Sequence, residues 1–265
     1  MTVAQRTPIL ELRGVSKRFG AVQALTDVDF EVYAGDVVGL VGDNGAGKST
    51  LVKAIAGIHP IDSGEIRFEG RPVVLRSPPD SAALGISTVY QDLALCDNLD
   101  VVANLYLGRE AIALRFAHDL GFLREVAMEK RALKVLGDLG VSIPSVRIPM
   151  AALSGGQRQS VAVARAVMSD AKVVLLDEPT AALGVVQTRQ VLDLVRRLGD
   201  QGVGVVVISH NLADVFDACD RIIVLRLGQR VGTFDVRAVS REQVVAAMTG
   251  ADFGRLSSEA AEGAR

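Results

Sequence analysis

The sequence predicts an α/β protein with a parallel sheet. Short apolar runs such as "VVLL" and "VVVI" are typical of strands that are buried on both faces. After Gly156 such runs alternate with stretches of helical spacing, an order that favours parallel strands joined by right-handed crossovers. The 265 residues are sufficient for a full hydrophobic core.

The first part of the chain, before residue 92, is mostly extended. Gly20 and Gly35 interrupt the strand-like pattern between Ile9 and Val41. The stretch "TLVKAIAGI" then has apolar residues at helical spacing. After it, "GEIRFEGRPVVL" predicts a hairpin, "SPPDSAALGI" a short helix with proline in its first turn, and "STVYQD" a strand with a polar exit.

Residues 92–154 differ in character, because they show no clear strands. "LDVVANLYLG" and "REVAMEKRALKVLGDLGV" predict helices, and Pro144 and Pro149 interrupt the pattern before Ala151. We therefore expect a helical insertion in an α/β core.

The α/β alternation returns after Gly156. The helix "QRQSVAVARAVMS" precedes the strand "KVVLLDEPT", "VVQTRQVLDLVRRLGDQ" precedes "GVGVVVISH", and "NLADVFDAC" precedes the hairpin "RIIVLRLGQRVG". Residues 251–265 are small and polar, and we expect this tail to be disordered.

Composition excludes some classes of function. The 29 basic residues nearly balance the 31 acidic ones, whereas a domain that coats nucleic acid usually has a basic excess. No apolar run approaches the ~18 residues of a membrane-spanning helix. We therefore expect a soluble chain that does not bind nucleic acid. Because 49% of the residues are hydrophobic, the chain can also contact an apolar partner.

The loop "GDNGAGKST" matches the phosphate-binding pattern G-x-x-x-x-G-K-[ST], with a strand before it and a helix after it. Its glycines allow the backbone N–H groups to face phosphate oxygens, and the helix adds its positive dipole end. We expect Lys48 to bridge the β- and γ-phosphates and the Ser49 hydroxyl to bind Mg²⁺. The predicted nucleotide-binding residues of this loop are Gly42, Asp43, Asn44, Gly45, Ala46, Gly47, Lys48, Ser49 and Thr50.

Two acids follow the apolar strand "VVLL" at its carboxyl end, where ligands bind in open α/β sheets. Asp177 is predicted to support Mg²⁺, directly or through water, and Glu178 to act as general base toward the attacking water. Two acids after a strand are common, and alone they are weak evidence for a catalytic site. Downstream of a phosphate loop they become strong evidence for one.

Two further polar residues follow strands predicted at the same edge. A lone histidine is more often structural, yet His210 ends "VGVVVIS" beside the other nucleotide groups, so we expect it to contact the γ-phosphate and to orient Glu178. Gln91 in "STVYQD" could simply cap a loop. Its position next to the insertion predicts that its carbonyl reaches Mg²⁺ or the water.

A second glycine-rich loop, "LSGGQ" at residues 153–157, has no lysine. Its residues Ser154, Gly155, Gly156 and Gln157 and the following helix dipole suit a γ-phosphate that another copy of the chain holds. This arrangement predicts a head-to-tail homodimer with two ATP molecules between the copies.

Together these motifs resemble the ATP-binding subunits of ABC transporters, because "LSGGQ" lies after a phosphate loop and before "LLDEPT". The resemblance covers residues 9–250 and implies a P-loop NTPase (RecA-like) core with an antiparallel β subdomain and an inserted α-helical subdomain. The implied boundaries are one ABC ATPase domain over 1–250, with the core and β subdomain over 9–91 and 155–250 and the helical subdomain over 92–154. Phe19 would stack on adenine, unless it is an ordinary core aromatic.

Four stretches are most similar to the corresponding motifs in importers of simple sugars, namely "GLVGDNGAGKSTL", "STVYQDLAL", "LDEPTAALG" and "VVVISHNLADVF". Two departures stand out. Gly184 replaces the acid that most members carry after "DEPTAAL", which puts coupling between the two sites in doubt. This chain also has one module where many sugar-importer relatives fuse two.

The resemblance implies an ATPase that energises a monosaccharide importer from the cytoplasmic face of the inner membrane. Its partners would be a second copy, permease subunits and, indirectly, an extracytoplasmic sugar-binding protein. A permease helix would dock near Gln91 against Leu93, Leu95 and Leu99, although each leucine could instead be subdomain core. The alternatives are a soluble ABC ATPase on ribosomes or DNA, a non-hydrolysing regulator, and a phosphate-loop kinase, which would lack "LSGGQ".

Overall fold

The structure is a computed structural model that describes residues 7–116 and 120–251. Its strands are β1 Leu10–Phe19, β2 Val22–Val32, β3 Val37–Val41, β4 Ser63–Phe68, β5 Arg71–Val73, β6 Ile86–Val89, β7 Ile112–Phe116, β8 Leu120–Leu123, β9 Val173–Asp177, β10 Gly204–Ile208, β11 Arg221–Arg226 and β12 Gln229–Asp235. Its helices are α1 Lys48–Ile55, α2 Pro78–Ala83, α3 Val101–Tyr106, α4 Glu125–Asp138, α5 Gly155–Val167, α6 Val185–Asp200, α7 Leu212–Ala218 and α8 Arg241–Thr249.

The central sheet has six strands in the order β12-β11-β3-β10-β9-β6. All neighbours from β11 to β6 are parallel, and β12 is antiparallel at one edge. Because the strands run in one direction, the carboxyl ends of β3, β10, β9 and β6 meet at one edge of the sheet. The strands predicted from "DVVGLVG", "STVYQD", "KVVLLDEPT" and "GVGVVVISH" are all members of this sheet.

Both faces of the central sheet are covered, which explains the uninterrupted apolar runs. Side chains alternate along a strand, so Val38 and Leu40 of β3 join one hydrophobic cluster while Val37 and Val41 join the other. The first cluster lies under α1 and a four-stranded antiparallel sheet of order β2-β1-β4-β5. The second includes residues of α4, α5, α6 and α7.

The expectation of a purely helical insertion was wrong over part of its length. α3 and α4 form as predicted, but β7 and β8 between them pair as an antiparallel hairpin, with Phe116 opposite Leu120 and Ile112 opposite Leu123. The sequence carries the period-two signal, because Ile112, Leu114 and Phe116 alternate. A run this short does not separate strand from helix by periodicity alone, and here strand pairing satisfies its backbone groups.

The C-terminal part of the chain adds α8, which no sequence pattern above predicts. Ser240 caps it by accepting a hydrogen bond from the Gln243 N–H, and Gly250 ends it with φ +80°. Apart from Ala251, the tail that was predicted to be disordered lies outside the described residues. Among the residues that are described, no helix has both the length and the apolar character needed to cross a membrane.

Candidate functional site

The carboxyl edge of the central sheet brings four of the predicted motifs together. Val41, Ile208, Asp177 and Val89 end β3, β10, β9 and β6, and the register pairs Leu40 with Ile208 and Ile208 with Asp177. The loop from Gly42, the acid Glu178, His210 and Gln91 follow these ends within two residues. The edge is therefore a polar surface supported by a buried sheet.

Glycine is required at two positions of the loop between β3 and α1. Gly42 has φ +155°, and a Cβ there would lie 2.2 Å from the Leu225 carbonyl oxygen. Gly47 has φ +102°, and its Cβ would lie 2.8 Å from the Ala24 carbonyl oxygen. The loop thus packs closely against the backbone of β11 and β2.

Lys48 opens α1 and folds back over this loop. Its Nζ donates hydrogen bonds to the carbonyl oxygens of Gly42 at 2.6 Å and Asp43 at 3.1 Å. An ammonium group has three donors, so these two bonds fix its position and leave one proton for a phosphate oxygen. Asp43, Asn44, Gly45 and Ser49 are exposed at the same place, and Ala46 is buried beneath them.

Asp177 and Glu178 occupy different environments. Asp177 is half-buried at the end of β9, and burial, reinforced by the charge of Glu178, raises the pKa of its carboxyl group. The positive charges of Lys48 and Lys53 act in the opposite direction, so both lie close enough to stabilise the carboxylate. A cation next to Asp177 would be favoured for the same reason.

Glu178 is held in a left-handed conformation with φ +50°, and its N–H donates to the Ile208 carbonyl oxygen at 2.9 Å. This bond ties the acid to β10, the strand that leads to His210. The Nδ1 atom of His210 lies 2.8 Å from Oε1 of Glu178. The glutamate side chain is 17% exposed and the histidine side chain 72% exposed.

This pairing orients both groups. With its proton on Nδ1, His210 donates to Glu178 and keeps Nε2 free for a ligand in solvent. The other carboxylate oxygen of Glu178 remains available to accept a proton. The two residues therefore form a unit that can remove a proton from a water molecule above the sheet edge.

The oxygen donors at the edge suit Mg²⁺. Ser49, Gln91 and Asp177 offer a hydroxyl, an amide carbonyl and a carboxylate, which are ligands that this hard cation accepts. Among the described residues, no group of three or more His, Cys, Asp or Glu side chains could hold a metal ion. Water and phosphate oxygens would complete the coordination of Mg²⁺, as they do in many phosphoryl-transfer sites.

Phe19 is not an ordinary core residue, because its side chain is 42% exposed at the end of β1. Its ring meets the His59 ring edge-on with centroids 5.0 Å apart, and Lys17 Nζ lies 5.4 Å from its centroid. The ring thus has a histidine and an ammonium group as neighbours while a large part of the residue remains exposed, and an exposed aromatic ring suits stacking on a planar base.

The "LSGGQ" loop begins α5 with a reciprocal cap. The Ser154 hydroxyl oxygen accepts from the Gln157 N–H at 3.3 Å, and Gln157 Oε1 accepts from the Ser154 N–H at 3.0 Å. Gly156 is needed because a Cβ there would lie 2.8 Å from Cβ of Gln187. Over the described part of the chain, no hydrogen bond or ion pair joins this loop to the phosphate loop.

Gln91 is exposed in the turn after β6, and the residues that follow it are unusual. Leu93 and Ala94 have φ values of +58° and +46°, which is rare for consecutive non-glycine residues. Arg165 of α5 donates to both of their carbonyl oxygens, at 2.9 Å to Leu93 and 2.7 Å to Ala94. Sequence reasoning missed Arg165, because its partners are backbone atoms more than 70 residues away.

A groove of about 310 Å³ lies beside this turn, between α2 and β6 on one side and α3 and α5 on the other. It occupies the predicted place for a docking helix, and the predicted contacts of Leu93, Leu95 and Leu99 with such a helix stay a prediction. Leu93 and Leu95 are half-buried and pack against the core, whereas the groove is lined by residues such as Tyr90, Leu105 and Leu107.

Gly184 has φ −74° and ψ 166° at the N-cap of α6, a conformation that any residue can adopt. Glycine is therefore not required there by its backbone angles. The helix has no side-chain cap at this end. The missing acid leaves the first N–H groups of α6 without the partner that a carboxylate would provide.

Comparison with known proteins gives consistent matches. The family model described as "ABC transporter" matches residues 25–181. The chain is 45% identical to the xylose/arabinose import ATP-binding protein XylG of Sulfolobus acidocaldarius, over 94% of this chain and 97% of that protein. It is 46% identical to the fructose import ATP-binding protein FrcA of Rhizobium meliloti, over 92% and 95% respectively.

Solved structures agree with the sequence matches. A nucleotide-free ATP-binding cassette from an ABC transporter superposes with a TM-score of 0.75 at 26% identity, over 92% of this chain and 96% of that one. A dimeric bacterial ABC transporter cassette superposes with a TM-score of 0.69 at 26% identity, over 87% and 100%. The predicted fold class is confirmed.

Proposed function

The chain belongs to the ABC transporter family, and we propose that it is the ATP-hydrolysing subunit of a monosaccharide importer. Two relatives that match over nearly their full length are named as import ATP-binding proteins for xylose or arabinose and for fructose, and these names support a sugar of this class. The observation that carries the enzymatic part is the sheet edge, where the loop of Lys48 and the Glu178–His210 pair follow neighbouring strands.

In the proposed reaction, the loop from Gly42 to Thr50 binds the phosphates of ATP. The third N–H group of the Lys48 ammonium donates a hydrogen bond to the β- and γ-phosphates. Glu178 removes a proton from the attacking water, while His210 orients the Glu178 carboxylate through Nδ1 and faces the γ-phosphate through Nε2. Gln91 positions the same water from β6. Mg²⁺, bound through Ser49, Gln91 and Asp177, would neutralise charge on the phosphates.

The nucleotide's other contacts extend beyond the sheet edge. Phe19 stacks on adenine through its accessible face. Ser154, Gly155, Gly156 and Gln157 of a second copy complete the site at the γ-phosphate, so two head-to-tail copies bury two ATP molecules. The dimeric cassette that superposes on this chain supports such an assembly.

The subunit acts at the cytoplasmic face of the membrane, where the groove beside Gln91 receives a short helix from a permease. A sugar-binding protein outside the membrane delivers the substrate to that permease, and nucleic acid is not a ligand. A soluble ABC ATPase on ribosomes or DNA is not favoured by the full-length relatives, which are import proteins by name.

The test uses Glu178→Gln, with the exposed Glu242→Gln as the matched control. Glu178→Gln should retain ATP binding and lose about 10²–10⁴ in kcat, because the base is missing. ATP should then hold two copies together as a dimer in gel filtration. Glu242→Gln should behave as wild type in both assays.

Wild-type turnover in Glu178→Gln would contradict the assignment of the base. A slow variant that stays monomeric with ATP would contradict the dimeric site. Transport itself is tested in proteoliposomes that contain the permease, where Glu178→Gln should abolish ATP-dependent sugar uptake.

A further inference from the structure

The loop between β9 and α6 carries the proposed general base and has an unusual backbone shape. Glu178 and Ala182 both adopt the left-handed conformation, with φ values of +50° and +58°. The Ala181 N–H donates to the Glu178 carbonyl oxygen at 3.1 Å. Non-glycine residues keep such conformations only where surrounding contacts hold them. The contacts of this loop therefore decide where the Glu178 carboxylate lies.

Two contacts tie Glu178 itself to the segment that leads from β10 to α7. Its N–H donates to the Ile208 carbonyl oxygen at 2.9 Å, and its Oε1 lies 2.8 Å from Nδ1 of His210. Pro179 comes next and has no N–H, so it adds no backbone donor. The next donor groups along the loop belong to Thr180.

The side chain of Thr180 makes a third contact with the same segment. Its hydroxyl donates to Oδ2 of Asp214 at 2.5 Å, a length typical of a hydroxyl donor and a carboxylate. Asp214 lies in the first turn of α7 and is only 6% exposed. An aspartate this buried needs a partner, and Thr180 supplies one. The bond joins the loop of the base to the helix that follows His210.

An acid in the first turn of a helix can act through the helix dipole alone. That role needs neither burial nor a partner on another segment. The first turn of α7 also has a separate cap, because Oδ1 of Asn211 accepts a hydrogen bond from the Ala213 N–H at 3.0 Å. The burial of Asp214 and its bond to Thr180 therefore indicate a role between the two segments.

Open space borders this contact on one side. A groove of about 740 Å³ lies between α6 and α7, and Leu183 of the loop lines it together with Asp214. Side-chain packing on that side therefore does little to fix the loop against α7. The hydrogen bond from Thr180 is the specific contact that sets this distance.

We propose that Thr180 and Asp214 are positioning residues that hold the loop against α7 and thereby keep the Glu178 carboxylate beside His210. The inference rests on the proposed function, because Glu178 is the general base only in that proposal. The three contacts tie the loop at two residues, Glu178 and Thr180. Without the Thr180 bond the loop is tied at Glu178 alone and can turn about that point.

The experiment measures steady-state ATP hydrolysis by the full-length subunit. Thr180→Val keeps the shape of the side chain and removes its donor. It should lower kcat about tenfold or more, because a displacement of about 1 Å can cost about 10²-fold, and should leave KM for ATP unchanged. Thr180→Ser and Asp214→Asn keep a donor and an acceptor and should retain most of kcat. Asp217→Ala removes an exposed acid of α7 and should behave as wild type.

A double variant separates positioning from stability. Thr180→Val leaves a buried carboxylate without its partner and should lower the free energy of unfolding. Thr180→Val combined with Asp214→Leu removes both polar groups, so most of that free energy should return while kcat stays low. Recovery of kcat together with stability would show a purely structural contact and would overturn the inference.

The same substitution in the Glu178→Gln background tests whether Thr180 acts through Glu178. Thr180→Val should cause no further loss there in single-turnover hydrolysis, because the group that it positions is already absent. A further loss of the same size would overturn the inference, and so would wild-type kcat in Thr180→Val alone. Both results would leave the base assignment intact, whereas wild-type turnover in Glu178→Gln alone would overturn the proposed function.

Discussion

Replacing Arg165 by alanine removes the side chain whose hydrogen bonds hold the turn after Gln91. Two charge-assisted hydrogen bonds, each worth about 1.5–3 kcal/mol, are lost. The carbonyl groups belong to Leu93 and Ala94, whose left-handed conformations cost about 1–2 kcal/mol each. When the turn relaxes, the molecule recovers this strain.

The net loss of unfolding free energy should therefore be small, about 1–2 kcal/mol, because about 3–6 kcal/mol of hydrogen bonding is offset by about 2–4 kcal/mol of released strain. For a chain of this size that lowers Tm by only a few degrees. The position of Gln91 should change far more than stability does, so kcat should fall while KM for ATP stays near its wild-type value.

The assay combines guanidinium unfolding with steady-state ATP hydrolysis and amide hydrogen exchange over residues 91–96. Arg158→Ala is the control, since Arg158 also lies on α5 and pairs with the exposed Asp97, which directly follows this segment. It should change stability by less than about 1 kcal/mol. A loss far above 2 kcal/mol in Arg165→Ala, or unchanged exchange and kcat, would refute the account of the strained turn.

Four further changes test other parts of the site. Lys48→Ala should remove most ATP affinity, measured by nucleotide binding, because the phosphates lose their fixed cation. Gly184→Asp should raise the free energy of unfolding by only a few tenths of a kcal/mol, because the carboxylate caps α6. An unchanged Hill coefficient for ATP hydrolysis would show that the missing acid does not limit coupling. Leu95→Asp should destabilise the subunit by about 1–3 kcal/mol in denaturant titrations, because Leu95 packs against the core. Asp177→Asn should abolish hydrolysis but stabilise the fold near neutral pH, since folding raises the pKa of this carboxyl group and so disfavours its charged form; the gain should vanish as pH falls below the ordinary pKa of aspartate.

The catalytic edge could be predicted from sequence because each of its residues follows an apolar strand directly. Once "VVLL" and "VVVI" are parallel neighbours, Glu178 and His210 must meet at one edge. The β7–β8 hairpin could not be predicted with the same certainty, because a short apolar run fits either kind of element. The role of Arg165 could not be predicted from the sequence, because the backbone carbonyl groups that it binds have the same chemistry in every residue.

The cap of α5 uses only half of what the Ser154 hydroxyl offers. Its lone pair receives the Gln157 N–H and thereby starts the helix, while its own hydrogen is left over for an outside acceptor. In the proposed dimeric site, opposite ends of one O–H group thus serve folding and ligand recognition, and the two roles do not compete. Aspartate at this position would begin the helix equally well, yet it would present a negative charge to a phosphate in place of a proton. Serine and aspartate are thus interchangeable as the N-cap of α5, but of the two only serine can also donate a hydrogen bond to a phosphate.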